Sequence, residues 1–379
     1  MNRSASGRRP ALLERIGAEI RAAGPIPFAR FMDLALHDPD DGYYARGPGR
    51  LGTAGDFFTA SDAGTAFGES LARQLLEMDI VLGNPPVFSM VEFGAGRGLL
   101  ARDVLDGSRA LDPAFAARLA CVLIDRSPGM REAARRNVPE AEVLAPEEAR
   151  GAWTGCAVAV ELFDALPVHR LRRRGGRLVE VFVDLGADGS LVERELPPTD
   201  AAAGLAARYG AAPREGDEGE VAPGAPALLA SLAGALSRGF VVIVDYGDRA
   251  KELYGPARRR GTLLAYHRHT ANEEVLARVG EQDLTAHVNF TQLEDEALRL
   301  GMTVLGSTTQ DRFLIANGIL RAFEEDDPAA WGRPERVRAR LRVLQLIHPA
   351  GMGRTFRVLV LAKGLEPRPL LAGLSDPFR

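Results

Sequence analysis

The sequence predicts a doubly wound α/β fold: a mostly parallel sheet covered by helices on both faces, with an N-terminal helical region and inserted segments. Three observations predict it. From residue 87 onward, short apolar runs (VFSMVEF, LACVLID, EAEVLA, CAVAVEL and later FVVIVDYG) alternate with stretches of helical spacing. These runs are apolar on both faces, as strands are when helices cover both sides of a parallel sheet. The first run ends in a glycine-rich turn, Gly94, Gly96 and Gly98, that opens a helix.

In chain order, residues 10–23 read as a helix, with Pro10 suited to a first turn and Leu12, Leu13, Ile16 and Ile20 at helical spacing. Gly24-Pro25 ends it, and a short helix follows from Phe28 to Leu36. A glycine-rich, aromatic loop then runs from Asp38 through Tyr43 and Tyr44 to Thr59, before a helix from about Asp62 to Met78. The alternation begins with VFSMVEF; a helix is expected from Gly98 to about Arg118, and another from Ser127-Pro128. After Asp164 the pattern changes. VHRLRRRGGRLVEVFVDL reads as a hairpin turning at Gly175-Gly176, and residues 211–224, rich in Pro, Gly and Glu, read as a mobile surface loop. Residues 248–290 carry few periodic signals and read as an inserted lid or substrate region. A helix over 291–300, the strand MTVLG, a helical stretch to about 347 and the strand TFRVLVLA complete the pattern. The expected division is an N-terminal region over 1–80, a core over 81–365 with insertions at about 167–225 and 248–290, and a tail over 366–379.

Composition narrows the classes. With 46% hydrophobic and 26% charged residues, the chain of 379 residues is globular, with a real core. A net charge of −4 argues against a general nucleic-acid binder. No apolar run approaches bilayer-crossing length, and the first ten residues read as a frayed tail, which points to the cytoplasm. Cys121 and Cys156 lie in apolar strand-like runs without metal-ligand spacing and read as small buried hydrophobes of a reducing compartment.

The segment VEFGAGRGLL, residues 91–100, carries the most chemistry. Its glycines permit a tight turn with backbone N–H groups close to a ligand, and the helix that follows points its positive end the same way. Glu92 stands two positions before Gly94. A carboxylate there repels a pyrophosphate, which argues against a nicotinamide-dinucleotide oxidoreductase, and faces a cationic ligand well. S-adenosylmethionine, with a sulfonium, an amine and no phosphate, is such a ligand. Asp125, at the end of the next run, is placed to accept both ribose hydroxyls of an adenosine; alternatively it caps the helix at Ser127-Pro128. Glu161 and Asp164 end the fourth run and face the same crevice, which favours a cationic acceptor; alternatively Asp164 caps a turn running to Pro167.

At these residues the chain resembles the MidA family of methyltransferases, whose mitochondrial members help to assemble respiratory complex I. The resemblance runs over nearly the whole chain through GPIPFARFMDLALHDPDDGYY, GDFFTASDAGTAFGE, VEFGAGRG, IDRSP, ELFDALPV, VIVDYG, GTLLAYHRH, DLTAHVNF, TTQDRFL and GMGRTFRVL, in the family's order. It implies a seven-stranded Rossmann-like class I methyltransferase fold in which Glu92, Gly94, Gly96, Gly98 and Asp125 bind S-adenosyl-L-methionine. It also implies that Asp56, Phe57 and Thr59 of the GDFFT block close over the cofactor. A mitochondrial relative is described as methylating an arginine of a complex I subunit, so a protein substrate, a respiratory-complex-type subunit among the candidates, is the implied partner. In a eukaryote the compartment would be the mitochondrial matrix. The chain departs from the family pattern at Val160, where Asn is usual, at Ser61-Asp62-Ala63, where Pro-Glu-Ile is usual, and at Asn289, where Asp is common.

Two functions follow as expectations. In the first, Glu161 and Asp164 are catalytic: they hold an arginine side chain through charge-assisted hydrogen bonds, and one of them accepts the proton. In the second, which Val160 favours, the protein binds the cofactor as an assembly factor without turnover. Among the histidines, His267 and His269 are acceptor-site bases or loop hydrogen-bonders; His169 and His287 also lie in family-like segments, and no metal arrangement is visible. Arg170, Arg172, Arg173, Arg174 and Arg177 form a basic hairpin, either a solvated face or a surface for an acidic partner.

Overall fold

The computed structural model describes residues 11–47, 64–268, 270–324 and 333–378. Seven strands make up the continuous order of an eight-stranded central sheet, and the two-residue strand Val288–Asn289 pairs in parallel with the end of the fifth: β1 (Phe88–Phe93), β2 (Leu119–Ile124), β3 (Glu142–Leu144), β4 (Trp153–Val160), β5 (Leu236–Asp248), β6 (Thr303–Thr309) and β7 (Phe356–Lys363). Their spatial order is β3-β2-β1-β4-β5-β7-β6. β7 runs antiparallel between β5 and β6, while β1 to β5 are mutually parallel. The inner runs form strands β1, β4 and β5 because they are buried on both faces, while the edge strands β3 and β6 are partly covered. One hydrophobic core, including Phe67, Leu75, Val104 and Phe313, lies on one side of the sheet, and a second, including Leu229, Leu232, Phe290 and Leu293, lies on the other. Cys121 and Cys156 are free and buried in the first core, as small hydrophobes.

Helices α1 (Leu12–Ala23) and α2 (Phe28–His37) precede α3 (Ala66–Val81), which packs beside α4 (Leu99–Leu111). The helix expected to run to Arg118 stops at Asp112-Pro113. There the Asp112 carboxylate accepts the N–H groups of Ala114 and Phe115 at 2.8 and 3.0 Å and starts a separate turn.

The first insertion is an antiparallel sheet. His169–Arg174 and Arg177–Leu185 form the expected hairpin through Gly175-Gly176, flanked by Leu191–Leu196 on one side and Glu218–Val221 on the other. The mobile loop expected over 211–224 is therefore a correction: Glu218–Val221 pairs with His169–Arg172 and is largely buried. The basic hairpin is also resolved internally. Arg172 makes ion pairs with Glu193, Glu195 and Glu218 at 2.7, 3.3 and 2.9 Å, and Arg170 contacts Glu193, so the flanking strands neutralise the hairpin's charge. The second insertion holds a small antiparallel sheet, Thr270–Asn272, Leu264–His267 and Asp283–Thr285, whose Leu284 packs into a third core with Phe28, Phe31 and Tyr43. The C-terminal segment docks rather than trailing away. Leu371 is buried, and Gly373 N–H donates to Gln74 Oε1 of α3 at 3.0 Å. Among the described residues, no helix is long and apolar enough to cross a membrane.

Candidate active site

The C-terminal ends of β1, β2, β4 and β5 share one edge of the sheet and carry two neighbouring regions. The first is built at β1 and β2. After β1 the chain turns sharply, and the N–H groups of Gly94 and Ala95 donate to the Ile124 carbonyl of β2 at 2.8 and 3.2 Å. Gly94, Gly96 and Gly98 have φ of 71, 53 and 73°, where a side chain is disfavoured. A Cβ on Gly94 would lie 2.8 Å from Leu162 Cδ1, so a side chain there would displace Leu162. A Cβ on Gly96 would meet nothing within 4 Å among the described residues, so the backbone at Gly96 is open on that side to them.

Asp125 locks this turn. Its Oδ2 accepts the Gly96 N–H at 2.9 Å, and its Oδ1 accepts the Ser127 N–H at 2.8 Å. The cap of the helix Pro128–Asn137 is Ser127, whose Oγ accepts the Met130 N–H at 3.4 Å; Asp125 has the different task of tying the glycine turn to β2. An ionised carboxylate retains acceptor capacity beyond two such bonds.

Glu92 stands on β1 and is 5% exposed. Its Oε2 has no hydrogen-bond partner among the described residues. Burial, then the charges of Asp125 and Asp103, push its pKa up to about 8. Burial raises Asp125 too, against the opposing pull of its two N–H donors. An open backbone cradle beside two desolvated carboxylates, one with an idle oxygen, fits a ligand that brings N–H donors and positive charge. The amine of S-adenosylmethionine meets that requirement, and a pyrophosphate does not.

The second region is built at β4 and β5. Glu161 follows β4 with φ of 52°, unusual for a residue with a side chain, and its N–H donates to the Val244 carbonyl of β5 at 2.9 Å. Asp164 is buried, and the Ala286 N–H donates to its carbonyl at 3.0 Å. Burial, then the charges of Asp245, Asp283 and Glu161, raise the Asp164 carboxyl well above the usual carboxylate range. Three tyrosines surround these acids. The Tyr44 hydroxyl donates to Asp283 Oδ1 at 3.0 Å, Tyr246 follows Asp245, and Tyr266 pairs in register with Asp283. Burial raises the hydroxyl pKa of all three, so they remain protonated donors. His37 stacks on Tyr44 at 5.6 Å between centroids and bonds to the Ala165 carbonyl through Nε2 at 3.2 Å, which ties α2 to the same turn.

Of the residues expected from sequence, Glu92, Gly94, Gly96, Gly98 and Asp125 meet in the first region, and Glu161 and Asp164 in the second. Leu162, packed on Gly94, joins the two. Asp56, Phe57, Thr59 and His269 lie outside the described residues. His267 ends the strand Leu264–His267, with Nδ1 facing the Glu281 carbonyl at 3.1 Å. His169 binds Glu180 at 2.5 Å in the inserted sheet. Burial, then the Arg258 charge, lower His287 to about 4, and its Nδ1 faces an Arg258 nitrogen at 2.6 Å. Asn289 caps the helix Phe290–Arg299, accepting the Gln292 N–H at 3.3 Å, a task that Asp performs equally well. Val160 is half-buried against the first core. Sequence reasoning missed Tyr44, Asp245 and Asp283 as members of the second region; Asp245 carried a readable signal, because it sits near the end of the inner strand FVVIVDYG.

The strand order with one antiparallel strand, together with the glycine turn and acid pair at β1 and β2, defines a class I methyltransferase. Residues 70–308 match the family model described as "Putative S-adenosyl-L-methionine-dependent methyltransferase". The chain belongs to this S-adenosyl-L-methionine-dependent methyltransferase family, and its cofactor is S-adenosylmethionine. It is similar to a likely methyl transferase of the COG1565 superfamily from Burkholderia thailandensis whose crystal structure holds S-adenosyl-homocysteine. The match has a TM-score of 0.86 and 30% identity, and covers 96% of this chain and 94% of that one. It is also 27% identical to the mitochondrial protein arginine methyltransferase NDUFAF7 homolog of Drosophila melanogaster, over 94% of this chain and 85% of the relative. With the mitochondrial protein arginine methyltransferase NDUFAF7 of Mus musculus it shares 28%, over 83% and 77%.

Proposed function

We propose that the protein transfers a methyl group to a guanidinium nitrogen of an arginine in a protein substrate, a respiratory-complex-type subunit being the first candidate. The observation that carries this reading is the convergence of Glu161, Asp164 and Asp283 with three tyrosines beside the cofactor region. The Asp164 carboxyl, pushed upward by burial and by the charges of its acid neighbours, is relieved by a cation, and a planar guanidinium offers several N–H donors to this acid cluster at once. The relatives named as protein arginine methyltransferases support the same substrate class.

Glu92, Asp125 and the turn through Gly94, Gly96 and Gly98 hold the cofactor, with Asp56, Phe57 and Thr59 assigned to cover it. S-adenosylmethionine, when bound, supplies an electrophilic methyl group on a sulfonium. Glu161 and Asp164 orient the acceptor and concentrate its positive charge on the nitrogens that do not react, which leaves a lone pair on the one that does. One of these carboxylates then takes the proton released from the methylated nitrogen. The N-terminal region, residues 1–80, and the two insertions at about 167–225 and 248–290 supply the acceptor side. Two free, buried cysteines are consistent with a reducing compartment such as the cytoplasm.

A second reading, cofactor binding without turnover in an assembly role, draws on Val160, an apolar residue at the end of β4 where related chains carry Asn. The experiment that separates the two supplies methyl-labelled S-adenosylmethionine and a protein extract, followed by acid hydrolysis and amino-acid separation. Arginine transfer puts label in methylarginine with wild-type protein and none with Glu161→Ala. Tight binding of S-adenosylhomocysteine with no label in any residue supports the assembly role, and label in lysine overturns the arginine assignment.

A further inference from the structure

We propose that Asp245 is a positioning residue, whose buried carboxylate clamps the turn that presents Glu161 and Asp164 to the acceptor; the proposal rests on the reading of those two residues as the acceptor's anchors. Asp245 lies on β5, adjacent to the strand that launches the turn, and is fully buried. Its Oδ2 accepts two consecutive backbone N–H groups of the turn, Leu162 at 3.1 Å and Phe163 at 2.8 Å. Its Oδ1 accepts the N–H of Tyr246 at 2.9 Å. One side chain thus accepts three backbone N–H groups, two from the turn that follows β4 and one from β5.

The turn needs this support. Glu161 holds a left-handed backbone conformation at φ of 52°, which strains a side-chain-bearing residue and persists only where the surroundings over-determine it. Three anchors over-determine it here. Glu161 N–H is held by Val244, the next two N–H groups by Asp245, and the Asp164 carbonyl by the Ala286 N–H from the second insertion. The Asp245 anchor is the one that uses a side chain, so it is the one that a substitution removes without altering the main chain.

A carboxylate suits the task better than its neutral isostere. It is acceptor-only, whereas an asparagine would aim N–H donors at one of the same backbone N–H groups. With both oxygens engaged by main-chain donors and no exposure, Asp245 is placed to shape the turn and not to touch the acceptor. It also sits beside Asp164: burial pushes Asp245 up to about 7 against the pull of its backbone donors, and its charge, once ionised, raises Asp164 further.

The test uses the full chain with Asp245→Ala and Asp245→Asn, and reads amide hydrogen exchange over residues 161–166, S-adenosylhomocysteine affinity and methyl-transfer kinetics. In Asp245→Ala the amides of Leu162 and Phe163 should exchange at least about 30-fold faster, while those of Val241–Val244 keep their protection. Acceptor kcat should fall about 100-fold, with acceptor KM and cofactor affinity within about threefold, the pattern of misaligned groups rather than of lost binding. Asp245→Asn, which keeps the volume and one oxygen, should fall between the two in both readouts and retain the fold if the alanine variant does not. Unchanged exchange over 161–166 in both variants overturns the clamp, as does faster exchange with undiminished kcat. If the wild type methylates no arginine, the proposed function fails, while the exchange measurement still decides whether Asp245 holds the turn.

Discussion

The two regions at the top of the sheet are built on opposite principles. At β1 and β2, the anchors all lie within one strand-helix-strand unit. Gly94 and Ala95 donate to Ile124, and Gly96 donates to Asp125, so the region is stiff once two neighbouring strands pair. At β4 and β5, the acids are brought together by elements far apart in the chain. Tyr44 reaches Asp283 across 239 positions, and Asp164 is fixed by Ala286 in the second insertion. The difference teaches that one region is set by the sheet itself and the other by what is folded onto it. Cofactor recognition should therefore survive changes that abolish turnover, and the reverse should not hold.

The largest expected effect breaks the second region alone. Glu161→Gln should lower kcat by about 1,000-fold, by removing an acceptor anchor and a proton acceptor together, and leave S-adenosylhomocysteine affinity within about threefold by calorimetry. A parallel loss of affinity would show that the regions are not separable. The next effect strikes the first region. Asp125→Ala releases the Gly96 and Ser127 N–H groups and should weaken S-adenosylhomocysteine about 100-fold, or about 2.8 kcal/mol, in the same assay.

The smallest effect sharpens the comparison through pH. Glu92, pushed up to about 8, is largely protonated at neutral pH in the free protein, and a cationic amine favours its ionised form. Binding therefore expels a proton, and affinity should rise by up to about tenfold per unit as pH climbs toward 8. Glu92→Gln should flatten that slope. The sign for stability is opposite. Because the folded pKa lies above the unfolded value, ionising Glu92 penalises the folded state, a cost absent at low pH that grows as pH rises from about 4.5 toward 8. Glu92→Gln without ligand should accordingly melt higher than wild type at pH 8 and match it near pH 4.

The same contrast explains what could be read before the structure. Glu92, the three glycines and Asp125 form a local pattern whose spacing carries its own geometry, because a strand, a turn and a helix follow one another within a few residues. The inner apolar runs were legible for a similar reason: burial on both faces leaves a continuous signature. Tyr44 and Asp283 had no such signature, because their partnership is a product of tertiary packing. Residues 211–224 look mobile by composition, yet Glu218–Val221 gains order by pairing with a hairpin whose arginines seek its glutamate, an interaction invisible within any window of sequence. The break at Asp112-Pro113 was readable and overlooked: an N-cap followed by proline starts a new turn rather than continuing an old one.

The place of β7 has a consequence for synthesis. This strand leaves the ribosome after the other strands of its sheet, yet it is bonded on both sides, to β5 and to β6. Until Phe356–Lys363 emerges, the nascent chain carries an unsealed edge of consecutive apolar residues, Phe240–Val244, ready to pair with a stranger. Premature termination before this point thus leaves not a shorter enzyme but an adhesive one, and a chaperone that shields β5 during translation would raise the yield of native protein.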